Sequence, residues 1–209
     1  MSYLYGIIIG YGLGCLQPAY LISRFILKGD IRDKGNGNAG ASNMTVAYGK
    51  KMGFIVALID ILKATIALWF IKDLFGATSQ INTLLYLTGF CVILGHNYPF
   101  YMGFKGGKGT ASLIGLLFGL NIGMGVIGLV ILLAATFISD YIVIGTFSLL
   151  LSFIIMTYFL HYGIVPLMIS VIIGLLSLYK HRENIVKIIN REEKSVRGTL
   201  SKNKGNDNA

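Results

Sequence analysis

Residues 141–179 read YIVIGTFSLLLSFIIMTYFLHYGIVPLMISVIIGLLSLY, without one Asp, Glu, Lys or Arg. The stretch exceeds the roughly 20 apolar residues that cross a hydrocarbon core. Gly163 and Pro166 interrupt it, which divides it into two segments. Three more intervals, 1–23, 74–104 and 109–139, are equally free of charge. Unpaired backbone polar groups are too costly in lipid for such segments to be anything but helices. The expected fold class is therefore an all-α polytopic membrane protein. Composition agrees, with 55% hydrophobic and 13% charged residues in 209, where a soluble domain carries about 25% charged.

The spacing predicts a seven-span helical bundle, with spans at 3–23, 53–71, 80–97, 110–121, 123–139, 141–158 and 163–179. The interval 109–139 is too long for one helix and short for two, so its break is placed at Asn121-Ile122-Gly123. FIVALIDILKATIALWF (54–70) is the span interrupted by charge. Its Asp60 and Lys63, three apart, are read as a structural ion pair, because charges inside a membrane are normally paired. Cys15 and Cys91 lie in apolar runs with no metal-ligand spacing and read as packing residues.

Sidedness follows from the basic residues. An odd number of spans puts the connections 24–52, 98–109 and 139–140 on one side, together with the C-terminus. That side holds 16 of the 18 Lys and Arg residues. By the positive-inside rule it is cytoplasmic, and the N-terminus lies outside. The net charge of +9 reports this bias and an attraction to anionic membrane lipid, so no nucleic-acid partner is expected. MSYLYGIIIG lacks the basic start of a cleaved signal and is read as part of the first span. Residues 1–180 form a single transmembrane domain and 181–209 a basic cytoplasmic tail. HRENIVKIINREE (181–193) can extend the last helix, while SKNKGNDNA (201–209) is too polar to fold.

Three polar islands share the cytoplasmic face. KGDIRDKGNGNAGASNM (28–44) combines glycines with side-chain donors, among them Asn36, Asn38 and Asn43. Backbone turns at Gly37 and Gly40 can form an anion-binding nest. GHNYPFYMGFKGGKGTAS (95–112) places Gly106, Gly107 and Gly109 beside Lys105 and Lys108. Bare backbone there suits the wrapping of phosphate oxygens, and Thr110 and Ser112 suit a helix start, where an anion is favoured. It lacks the spacing of the nucleotide P-loop. HRENI (181–185) sets His181 and Asn184 on one helix face. His96 precedes Pro99 and reads either as an interfacial histidine or as a substrate contact.

Together these segments resemble the bacterial acyl-phosphate:glycerol-3-phosphate acyltransferases, an integral-membrane family of phospholipid synthesis. The likeness runs from YLISRFILKGDIRDKGNGNAGASNM (20–44) through GKKMGF, DILKA and GHNYPFYMGFKGGKGTAS to KHRENI. It implies acyl transfer from acyl phosphate to the 1-hydroxyl of glycerol 3-phosphate, giving lysophosphatidate and phosphate in a bacterial plasma membrane. Neither coenzyme A nor another cofactor is implied, and no metal-ligand cluster is found in the sequence. Carried over by motif, Lys108 holds phosphate, Asn38 and the Gly35–Gly40 backbone help to cradle it, and His181 and Asn184 position the attacking hydroxyl. Thr146, in YIVIGTF, falls where the family has a serine. The substrate-binding set extends to Asn36, Asn43, Lys105, the three glycines and His96. Oligomeric state is not legible.

The chain departs from the family pattern at three places, one of them Gly14-Cys15, where the family has Gly-Ser near the middle of the first span. Asn36 replaces a serine hydroxyl, and Val46 stands where the family has an arginine. Loss of a guanidinium removes a planar, permanently charged phosphate clamp, for which Arg24, Arg32 or Lys50 would have to compensate. Two other readings therefore stay open: a related acyltransferase with another acceptor, and a non-catalytic lipid- or phosphate-binding membrane protein.

Overall fold

The computed structural model describes residues 1–199, and among these all regular structure is helical. SKNKGNDNA lies outside the described residues. The main helices are α1 (Ser2–Gly14), α2 (Pro18–Leu21), α3 (Ala41–Tyr48), α4 (Lys50–Phe75), α5 (Ile81–Asn97), α6 (Thr110–Leu120), α7 (Ile122–Ser139), α8 (Ile142–Phe159) and α9 (Ile164–Ile189). Every predicted apolar segment holds a helix. Five stretches are long and apolar enough to cross a membrane: Ser2–Ile26, Lys50–Phe75, Ile122–Ser139, Ile142–Phe159 and Ile164–Ile189. The remaining two are shorter, with 17 residues in α5 and 11 in α6. At 1.5 Å per residue α6 reaches only about 16 Å, half the thickness of a hydrocarbon core.

The predicted breaks fall where expected. Asn121 ends α6 and caps α7, its Oδ1 accepting from the Met124 N–H at 3.2 Å. Gly163, with φ of +109°, leads into α9. HRENI continues α9 as anticipated.

The first span differs from its expectation. It was read as one helix over 3–23, but the chain breaks at residues 15–17, before Pro18 at the start of α2. Proline has no N–H to give an upstream carbonyl, so carbonyls are left over, and a charged group inside the bundle takes them. Lys63 Nζ donates to the Gly14 and Leu16 carbonyls at 3.1 and 2.6 Å. It also lies 2.7 Å from Asp60 Oδ1. His96 Nδ1 completes the cluster, 3.0 Å from Lys63 Nζ and 3.2 Å from Asp60 Oδ1. Gln17, at the break, donates through Nε2 to the His96 carbonyl at 2.8 Å. Asp60 and Lys63 are thus the expected structural pair, and they tie α1, α4 and α5 together.

Helix α5 is the hub, packed against α1, α4, α6 and α9. Its seam with α1 is made of small residues at four-residue spacing, Gly6, Gly10 and Gly14, all buried. A Cβ on Gly10 would sit 2.5 Å from the Thr88 carbonyl oxygen, and one on Gly14 2.3 Å from that of Val92. Backbones this close need small residues, as in other helix pairs packed within lipid. Helices α6 to α9 then pack in succession, and α9 returns to α5. Their outward residues, including Val130, Leu151, Leu175 and Phe159, are exposed and apolar.

The polar connections gather at one end of this bundle. Arg32 Nη1 donates to the Met102 carbonyl at 2.9 Å, joining the first island to the second. Lys180 Nζ reaches the Asn97 carbonyl at 3.4 Å, joining the second to the third. The tail folds onto the α7–α8 turn, with Val196 N–H on the Asp140 carbonyl at 2.9 Å. At the other end, Tyr3 Oη donates to Gln80 Oε1.

Removing one partner of a buried ion pair strands the other charge. Lys63→Met is therefore expected to destabilise the protein by ~3–5 kcal/mol, while Asp60→Leu combined with Lys63→Met should recover much of that loss. Thermal unfolding in detergent measures both, and a single variant as stable as wild type would contradict the assigned role.

Candidate active site

The chain leaves α5 at Tyr98, turns through a short 3-10 segment at Phe100–Met102, and doubles back along the helix it has just left. Gly106 N–H donates to the Asn97 carbonyl at 3.2 Å and Gly107 N–H to that of His96 at 3.0 Å. The loop thus descends beside the last turn of α5. Its bareness is required there. A Cβ on Gly106 would meet the His96 carbonyl oxygen at 2.2 Å, and one on Gly107 would meet His96 Nε2 at 2.1 Å. Gly109 then turns the chain into α6 with φ of +89°, a conformation that glycine adopts without steric cost. Its missing side chain leaves Asn97 Oδ1 beside the backbone, 3.1 Å from a would-be Cβ.

These contacts bear on two expectations. The Gly106 and Gly107 amides are engaged by α5 carbonyls, so neither is a free donor for an anion. His96 is 3% exposed and belongs to the Asp60–Lys63 cluster. Its ring supports the loop from beneath. What the loop presents upward is Lys108, followed by the start of α6, whose first N–H groups have no partner within the helix.

Lys108 is half-buried, while Lys105 is exposed and turned away from burial. Lys108 Nζ donates to Asn184 Oδ1, and Asn184 Nδ2 donates to Glu193 Oε1 at 2.7 Å. Burial pulls the Lys108 ammonium below the ordinary lysine range, with the Glu193 and Glu183 carboxylates opposing. His181 is buried, its Nδ1 2.9 Å from the Ser177 carbonyl oxygen. A carbonyl only accepts, so the neutral ring carries its proton on Nδ1 and keeps a lone pair on Nε2. Its ring meets Phe147 edge-on with centroids 5.8 Å apart. The neighbouring Thr146 donates to the Ile142 carbonyl at 2.9 Å and lies 3.0 Å from Thr110 Oγ1.

A narrow cavity opens among these groups. Asn97, Lys108, Thr110, Thr146 and Ser177 form its polar side, and Ile93, Leu113, Leu150 and Ile173 its apolar side. Lys180 stands next to the cavity, its ammonium 4.6 Å from the centre of the Tyr98 ring. Sequence reasoning passed over Asn97, Ser177 and Lys180. The available signal was position: Ser177 is one helical turn before His181, Lys180 adjoins it, and Asn97 adjoins His96.

The first island is organised around Asn43, which is fully buried. Its Nδ2 donates to the carbonyls of Ile31, Lys34 and Asn38 at 2.9, 3.0 and 2.8 Å. Its Oδ1 accepts from the Asn36 N–H at 2.5 Å. Asn43 therefore holds the loop that carries Asn36, Gly37 and Asn38, and its polar atoms are engaged in doing so. Gly40 precedes α3 in extended conformation. This loop meets the glycine loop through Arg32, which is itself taken up by Asp30, Met102 and the Tyr20 ring. The Arg32 guanidinium holds the Asp30 carboxyl below the usual carboxylate range. Arg24 and Lys50 are exposed.

Gly107→Ala should displace His96 and cost about 1–3 kcal/mol, the usual penalty for overpacking. The same exchange at Gly12, which has open space around it, should leave the unfolding midpoint unchanged or raised. Equal midpoints for the two variants would contradict the packing described.

With this geometry in hand, the chain compares closely with known proteins. The sequence profile described as glycerol-3-phosphate acyltransferase matches residues 4–191. Glycerol-3-phosphate acyltransferase 1 of Oceanobacillus iheyensis is 41% identical over 207 residues, covering 97% of this chain and 99% of that one. The glycerol-3-phosphate acyltransferase of Aquifex aeolicus is 34% identical, covering 92% of this chain and 98% of its own. Among solved structures, the integral membrane glycerol 3-phosphate acyltransferase PlsY in its glycerol 3-phosphate form superposes with a TM-score of 0.86 at 34% identity, over 96% of this chain and 98% of that one. Its lysophosphatidic acid form gives 0.82 at 32% identity, over 93% and 95%. The chain is a multi-pass membrane protein and belongs to the glycerol-3-phosphate acyltransferase family.

Proposed function

We propose that this protein transfers an acyl group from an acyl phosphate to the 1-hydroxyl of glycerol 3-phosphate, forming lysophosphatidate and inorganic phosphate. Family membership supports the acceptor and the product. The observation that carries the site assignment is the meeting of Lys108, Thr146 and Ser177 at one cavity, with Asn184 bonded to Lys108 and the His181 ring against Phe147, next to Thr146.

In the proposed reaction Lys108 and the α6 N-terminus bind a phosphate, the latter because helix N-termini favour anions. Lys180, bonded to the Asn97 carbonyl, supplies a second positive charge close to the cavity. Asn184 fixes Lys108. The 1-hydroxyl oxygen attacks the acyl carbonyl carbon, the bond from that carbon to the phosphate oxygen breaks, and phosphate departs. His181 Nε2 takes the hydroxyl proton, and Thr146 holds the acyl phosphate in place. Acyl phosphates are already activated, so orientation and charge stabilisation are the protein's main contributions. The first island, through Asn36, Gly37, Asn38 and Gly40, with Asn43 as its internal brace, borders the phosphate site. Lys105 supplies charge at the entrance. Gly106, Gly107, Gly109 and His96 shape the site without holding the ligand.

We further infer seven membrane crossings with the N-terminus outside and the site at the cytoplasmic face of a bacterial plasma membrane. The gathering of the basic connections at one bundle end supports this. Residues 1–180 act as one domain, with 181–209 as its cytoplasmic extension.

The direct test supplies purified protein with an acyl phosphate and glycerol 3-phosphate and identifies the lipid formed. Lysophosphatidate with stoichiometric phosphate is expected; acylation only of some other hydroxy acceptor would overturn the assignment. His181→Ala should lower kcat by roughly 10²–10⁴, the usual range for a lost general base, and near-normal turnover would end that role. A lysine with a lowered pKa loses its charge earlier as pH rises. The KM for glycerol 3-phosphate should therefore climb with rising pH, earlier than an ordinary lysine would dictate, and Lys108→Arg should abolish that climb. An unchanged alkaline limb in Lys108→Arg would contradict the assignment of phosphate to Lys108.

A further inference from the structure

Asn97 is the last residue of α5 and fully buried, yet among the described residues neither Nδ2 nor Oδ1 of its side chain has a partner. Buried amides are normally satisfied, and leaving one unpaired is costly. Tyr48, Ser112 and Thr136 also bury a hydroxyl with no partner among the described residues, but Asn97 differs in leaving both halves of an amide unpaired at the wall of the cavity that holds Lys108. Its backbone is pinned, with the carbonyl accepting from Gly106 N–H and Lys180 Nζ, so the amide is held in place. Gly109 leaves the space into which Oδ1 reaches. This is a preformed donor–acceptor pair without a complement.

We propose that Asn97 is a specificity-determining residue whose side-chain amide hydrogen-bonds the 2-hydroxyl of glycerol 3-phosphate. The inference rests on the acyl transfer proposed above. A hydroxyl both accepts and donates, so one group satisfies Nδ2 and Oδ1 together. A phosphate oxygen does not, because it has no proton for Oδ1, and Lys108 takes the phosphate. The 1-hydroxyl is the attacking group and lies with His181. The 2-hydroxyl is the remaining group of matching chemistry.

The test uses the full-length protein in detergent with an acyl phosphate and two acceptors, glycerol 3-phosphate and 3-hydroxypropyl phosphate, which lacks only the 2-hydroxyl. Wild type should prefer glycerol 3-phosphate about tenfold in kcat/KM, the worth of one such contact. Asn97→Leu should erase that preference while leaving 3-hydroxypropyl phosphate nearly unaffected. Its unfolding midpoint should match or exceed that of wild type, because an unpaired amide has been removed. Asn97→Ser, smaller and certain to fit, should lose the preference in the same way. Preference retained in both variants, no preference in wild type, or a parallel loss with both acceptors would overturn the proposal and leave the amide to ordered water or packing. Failure of wild type to acylate either acceptor would overturn the functional assignment as well.

Discussion

The structure depends on the contact between two bare glycines and the end of the helix that precedes them. Gly106 lies against the His96 carbonyl and Gly107 against the His96 ring, so closely that no side chain fits at either position. This contact turns the chain back into the bundle, so that α6 begins beside the last turn of α5. That is why α6 needs only 11 residues, and why Lys108 comes to rest half-buried next to Asn184. The contact would fail if His96 were free to move. Asp60 and Lys63 prevent that, and Lys63 does so while satisfying the carbonyls released by the break before Pro18. A charged cluster within the bundle and a proline break in α1 are thereby linked to the site.

Much of the helical architecture was legible because lipid constrains sequence so strongly. Charge-free intervals located the apolar helices, and Asn121, Gly163 and Pro166 marked their ends. The break in α1 was missed although Pro18 was in view, because hydropathy averages across a single proline. Lys63, the residue that makes the break tolerable, lies far away in sequence. The glycine seam of α1 was likewise unread, since small residues look merely apolar until a partner helix is known.

The residues of the proposed site could be picked out in the sequence more readily than their arrangement. Lys108, His181, Asn184 and Thr146 do come together. The glycines were understood as bare backbone, but for a ligand, whereas Gly106 and Gly107 are bare for α5. His96 was placed with the substrate and lies beneath the loop instead. Asn43 was counted as a ligand-facing donor and instead braces its own loop. These errors share one cause: spacing shows that a residue needs a partner without showing which partner it has. Asn97 went unremarked because an asparagine beside a histidine at a helix end carries no signal until its burial is known.

By packing on α5, the glycine loop sinks Lys108 to the proposed phosphate site. The most direct measurement is an experimental structure of this protein with glycerol 3-phosphate bound. The expected result has the ligand in the cavity beside Lys108 and the α6 N-terminus, with the Gly106 and Gly107 amides still on the Asn97 and His96 carbonyls. A phosphate wrapped by those two amides, with the loop lifted from α5, would contradict it.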